Sequence, residues 1–102
     1  MIDSIGKYRE LGLEDFKLRD LDDLYDIYEI KPEQTEGFNE LPEDKKDIFS
    51  YFIVKFYNSW GLDARLNLKP VLVKEDGPFM KFDFDYYGMS NRITIVNKDG
   101  WR

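Results

Sequence analysis

Along residues 41–61, LPEDKKDIFSYFIVKFYNSWG, apolar side chains recur at helical spacing. At about 100° per residue, Ile48, Phe49, Phe52, Ile53, Phe56 and Trp60 fall within one arc of about 140°. No glycine or proline interrupts residues 43–60. Pro42 suits the first helical position, and Glu43 and Asp44 set negative charge against the positive end of the helix dipole. Gly61 then supplies a left-handed terminating residue. The pattern predicts a central helix over about 42–60. Its other side is not cleanly polar, because Tyr51, Val54 and Tyr57 lie there among Asp47, Lys55 and Asn58. A second helix of the same chain is expected to cover part of that side.

Residues 13–31, LEDFKLRDLDDLYDIYEIK, are the candidate for it. Leu21, Leu24, Tyr25 and Tyr28 share a face, and Asp20 followed by Asp23 resembles a cap with an acidic third position. Pro32 disfavours helix at Lys31, so the element is expected to stop there. A strand over 24–30 is the competing reading, since Tyr25, Ile27 and Tyr28 tolerate extended backbone. Residues 1–12 suggest a further short helix with Ile2, Ile5 and Tyr8 on one side, weakened by Gly6 and Gly12. Residues 32–40 are polar and read as a loop in which Phe38 tucks into the core.

After Gly61 the period changes from 3.6 to 2. Residues 65–74 put Leu66, Leu68 and Leu72 on one side, and Pro70 requires either a sheet edge or a bulge. EDGP at 75–78 is a turn. Residues 79–87 alternate Met80, Phe82, Phe84 and Tyr86 inward with Lys81, Asp83 and Asp85 outward. Residues 88–91 form the next turn and 92–98 a third strand. Short connections imply an antiparallel meander with 79–87 in the middle. Trp101, after a turn at Asp99–Gly100, either folds back on an edge or packs against a partner. The expected fold class is α+β: N-terminal helices packed on a three-stranded antiparallel β-meander, as a single domain over 1–102.

Composition narrows the chemistry. A chain of 102 residues is long enough to bury a core, and 42% hydrophobic with 17% aromatic content argues against disorder. There is no cysteine, which excludes disulfides, thiolate nucleophiles and thiolate metal sites. There is no histidine either, which removes the commonest general base and metal ligand. The four serines therefore have no histidine to activate them, and no phosphate-binding or nucleophile-elbow string occurs. Acid–base work would need paired carboxylates. Asp83 and Asp85 share a strand face about 7 Å apart, but their commoner role is to keep that face wet. Asp20, Asp22, Asp23 and Asp26 lack the glycine and distal glutamate of a calcium loop. The expectation is a non-enzyme with no cofactor and no metal. No apolar run approaches membrane-spanning length and the N-terminus lacks a signal peptide's apolar core, so a soluble, cytoplasmic protein with no membrane partner is expected.

Charge is the feature left to interpret. Residues 10–47 hold fourteen acids against five bases, whereas residues 48–102 hold six acids and eight bases, within a net charge of −6. On the expected helix Asp15, Asp22, Asp26 and Glu29 lie within about 60° of one another, joined by Arg19. Like charges at Asp22 and Asp26, and acids late in a helix, both carry a small cost. An acidic stripe kept despite that cost is readable as a docking face for a basic protein surface, such as that of a nucleic-acid-binding enzyme. The plain alternative is a solvated face. Phe, Tyr, Met, Ile, Asn and Lys, with AT-rich codons, make 41 of the 102 residues, against 17 for Gly, Ala, Arg and Pro. Small size, acidity and this bias together suit a phage or mobile-element inhibitor of the anti-CRISPR, anti-restriction or DNA-mimic type, or a toxin immunity protein. Partner-binding residues on this reading are Asp15, Asp22, Asp26, Glu29, Tyr51 and Tyr57, with no direct contact to nucleic acid. The rival is a nucleic-acid-binding sheet face using Arg65, Lys69, Lys81, Arg92, Lys98 and Tyr87. A third reading is a small structural subunit of a larger assembly, anchored by Tyr51, Tyr57 and Trp101.

Overall fold

The computed structural model describes residues 17–102. The expected helix over 1–12, and Asp15, lie outside the described residues. Within them the order is helix α1 (Leu21–Tyr28), two 3-10 turns (Pro32–Gln34 and Phe38–Glu40), helix α2 (Glu43–Asn58) and a short helix α3 (Leu62–Arg65). Strands β1 (Leu68–Asp76), β2 (Phe79–Tyr86), β3 (Met89–Asn97) and β4 (Gly100–Trp101) follow. The class is α+β, with one antiparallel sheet in the order β1-β2-β3-β4. Four strands replace the three expected. Trp101 supplies the fourth by pairing with Ile95 along the free edge of β3.

Helix α2 is the organising element. The carbonyl of Pro42, the N-cap, accepts from Lys45 and Lys46. Phe49, Phe52, Ile53 and Phe56 are buried against Met80, Phe82, Phe84 and Ile95 of the sheet. Rings meet edge-on at 5.4 Å for Phe52–Phe82 and 4.9 Å for Phe56–Phe84. Trp101 adds its ring 5.3 Å from Phe52, so the short fourth strand belongs to the core and not to a free anchor. The helix does not end on a left-handed glycine. Ser59 is its C-cap in the right-handed region, and Gly61, at φ −67°, instead begins α3. That four-residue turn takes up Arg65, which sits 5% exposed with its Nε donating to the Trp60 carbonyl at 2.9 Å. Leu66 is therefore left exposed outside the strand expected to bury it.

The side of α2 away from the sheet is covered as expected. Tyr28 of α1 packs 5.8 Å from Tyr57, and Leu18 is clamped by Asn58. The Leu18 N–H donates to Asn58 Oδ1 at 2.7 Å and Asn58 Nδ2 donates back to the Leu18 carbonyl at 2.9 Å. Helix α1 is shorter than its periodic stretch. It starts where Asp20 accepts the Asp23 N–H and stops three residues before Lys31, because Glu29 takes the left-handed conformation (φ 59°) as C-cap. No strand forms over 24–30.

Strand β1 resolves the Pro70 problem in both ways. It is a sheet edge, and its register slips between Pro70 and Leu72. The slip turns Leu72 to the outer face opposite Asp83 and sends Val73, fully buried, inward opposite Phe82, so the expected inward row of Leu66, Leu68 and Leu72 becomes Leu68 and Val73. The loop before α2 lies along this edge, with Glu36 bridging Val71 and Val73 through backbone hydrogen bonds of 3.1 and 2.8 Å. Gly37 is required there: at φ +88° a Cβ would sit 2.1 Å from the Val73 carbonyl oxygen. Phe38 follows into the core as expected, 5.9 Å from Phe49. The β2–β3 turn is tighter than the expected 88–91. Tyr87 and Gly88 close it with positive φ, so β3 begins at Met89.

Candidate functional site

Three of the expected partner-binding residues come together on α1. Asp22 and Asp26 are one turn apart and exposed, and Glu29 caps the same helix, also exposed. Among the described residues none of the three is in an ion pair. Tyr25, 43% exposed, sits between them, with the Lys31 ammonium 4.5 Å from its ring centre. Because α1 starts at Leu21, Asp22 lies in its first turn and gains from the dipole; only Asp26 and Glu29 oppose it.

The fourth acid of the segment behaves differently. Asp23 is 6% exposed and receives Arg19 three times, from the backbone N–H at 2.8 Å, Nε at 2.9 Å and Nη2 at 3.0 Å. The Arg19 guanidinium holds the Asp23 carboxyl below the usual carboxylate range, against the opposing cost of burial. Among the described residues Arg19 therefore does not link Asp22, Asp26 and Glu29, as its position in the sequence implied. It precedes the helix and braces its start.

Tyr51 is 61% exposed and shares a groove of about 840 Å³ with Asp22; Leu21, Val54 and Asn58 also line it. Lys98 lies 5.2 Å over the Tyr51 ring. Tyr57 is different. It is fully buried, with its hydroxyl donating to the Leu68 carbonyl at 2.8 Å, and burial raises its pKa. Its side chain ties α2 to β1 and offers nothing to a partner. Helical spacing placed Tyr51 and Tyr57 on the same side, but only α1 and Leu18, distant in sequence, decide which of them stays exposed.

The outer face of the sheet carries charge of both signs, and part of it is paired. Asp83 accepts Arg92 Nε at 2.5 Å and Nη2 at 3.0 Å, which lowers its pKa. Lys81 lies 3.6 Å from Asp76 and donates to Thr94 Oγ1 at 2.9 Å, and Asp85 accepts from Ser90. Arg65 is buried and Lys98 stands over Tyr51, so the bases named for a nucleic-acid face do not form a bare stripe. Tyr87 is exposed at the hairpin tip. Among the described residues no group of three or more carboxylates could hold a metal ion, and no helix is long and apolar enough to cross a membrane. No protein-family model matches the chain, and no curated protein or solved structure matches it.

Proposed function

We propose that the protein is a binding module whose α1 face docks on a basic surface of another protein. One observation supports this reading above others: among the described residues Asp22, Asp26 and Glu29 are exposed without an ion pair, whereas Asp76, Asp83 and Asp99 in the sheet half each have one. Unneutralised charge on one face produces a field that reaches a partner at about a Debye length, roughly 8 Å at physiological salt. Carboxylates paired across a ladder produce little. A nucleic-acid-binding enzyme fits as target, since its Lys/Arg channel attracts negative charge, and occupation of that channel would make the protein an inhibitor. The AT-rich residue usage suits a phage or mobile element as the source of such an inhibitor.

The test is quantitative capture from the source cell or its host with wild type and with the variant Asp22→Lys/Asp26→Lys/Glu29→Lys. A protein recovered by wild type should associate at least tenfold more slowly with the variant, and more slowly with wild type as salt rises, because long-range attraction acts on the encounter rate. A partner indifferent to both changes would overturn the reading.

A further inference from the structure

The groove of about 840 Å³ that Tyr51 shares with Asp22 runs between the start of α1 and α2. Along α2 it extends from Ser50 to the C-cap Ser59, about 14 Å at 1.5 Å per residue, or two to three turns. Its lining is graded. Leu18 and Val54 are buried, Leu21 is half-buried, and Tyr51 stands 61% exposed. The Lys98 ammonium, 5.2 Å from the Tyr51 ring centre, still leaves most of that side chain open. A tyrosine beside an apolar recess offers a large contact area at little cost in lost freedom.

The rim decides which kind of occupant fits. Among the described residues its two acids, Asp20 and Asp22, are exposed and in no ion pair. Of its three bases, Arg19 is engaged by Asp23 and Lys55 by Asp99. That leaves Lys17 against the two acids, and Asp26 follows one turn beyond Asp22 on α1.

We infer that the groove receives a basic amphipathic helical segment of the partner protein. Apolar side chains of that segment lie over Leu21, Val54 and Tyr51, and its lysines or arginines meet Asp20 and Asp22. The inference rests on the docking role of α1 proposed above and names what the partner presents to it. Two to three turns of groove match anchors at positions i, i+3 or i+4, and i+7 of such a segment. Bases alone would satisfy the acids and leave Leu21 and Tyr51 in water. The contact is small for an interface, which sets its dissociation constant at about 10–100 µM.

Fluorescence anisotropy tests this with a labelled leucine–lysine peptide about four turns long, its leucines at helical spacing. A scrambled peptide of the same composition is the control. At physiological salt the first should bind the full chain in that range, and the second about tenfold more weakly. Tyr51→Ala should weaken the first by about fivefold or more and Tyr51→Phe should not, with circular dichroism reporting both folds. Asp22→Lys/Asp26→Lys/Glu29→Lys should weaken both peptides. Equal binding of the two peptides overturns the inference, as does a Tyr51→Ala variant that binds like wild type. So does a wild type that binds neither, whether a second copy or another part of the chain fills the groove. If charge reversal still weakens binding when Tyr51→Ala does not, the docking role of α1 stands without the groove. If charge reversal changes nothing, both fall.

Discussion

The outer face of α1 and the outer face of the sheet both carry several carboxylates, yet among the described residues only those of the sheet meet bases. On the sheet, antiparallel register sets Arg92 opposite Asp83 although the two are nine residues apart, and the Lys81 ammonium comes within 3.6 Å of Asp76. On α1 the same residue type recurs at the fourth position, so Asp22 and Asp26 stand beside each other, and among the described residues neither is in an ion pair. A strand face inherits its counter-charges from a neighbouring strand. Among the described residues the exposed acids of α1 receive none from a neighbouring element.

That contrast presumes one core holding both faces in place, which gives the largest expected effects. Phe56→Ala and Phe82→Ala remove rings that touch at 5.5 Å in the middle of the helix–sheet layer, and each should cost about 3–5 kcal/mol in urea unfolding. Gly37→Ala should cost several kcal/mol as well, through its positive φ and the Val73 carbonyl. Variants melting within a degree or two of wild type would mean that the helix and sheet are not packed as described.

Asp23 sharpens the comparison, since it is the one carboxylate of α1 treated like those of the sheet. Asp23→Asn should cost about 1–2 kcal/mol at neutral pH, the scale of hydrogen bonds to a charged group. Its pKa is depressed in the folded state, so the unfolded chain takes up a proton first as pH falls. The stabilisation is fully present above the unfolded value of about 3.9 and lost as pH drops through the lower folded value. Stability curves of wild type and variant should therefore converge below about pH 4. Curves that stay parallel through that range would remove Asp23 from the acid-sensitive groups.

The helix–sheet division was legible because period is a local property. The 3.6 repeat of Ile48 to Trp60 and the strict alternation of residues 79–87 each contain their own evidence. Pro70 announced an edge or a bulge, but only pairing with β2 tells how far the phase shifts, and so that Val73 goes in and Leu72 out. Gly61 looked like a terminator because α3, which starts from it, is too short to show a period. The acidic face was visible as composition. Which of its acids are bare was not, since neighbours in sequence, Asp22 and Asp23, part company only through burial and the reach of Arg19. Tyr57 was misplaced for the same reason: its burial depends on α1 and on the Leu68 carbonyl, neither of which α2 can report.

The smallest effects decide whether the two faces differ in kind. Asp26→Lys removes the like-charge pair with Asp22 and replaces an acid in the last turn of α1, which has no basic residue there, with a base. Both changes favour the helix, each by about 0.2–0.5 kcal/mol, so the melting temperature should stay level or rise by a degree or two. Arg92→Glu does the reverse on the sheet. It breaks the fork to Asp83 and sets two carboxylates directly across a ladder, so melting should fall. Adding salt should narrow both differences, because each is a Coulomb term between exposed groups. Differential scanning fluorimetry at low and high salt reads all four shifts in one experiment. If Asp26→Lys destabilised the fold, that carboxylate would have a structural partner, and its standing as a free docking group would be lost.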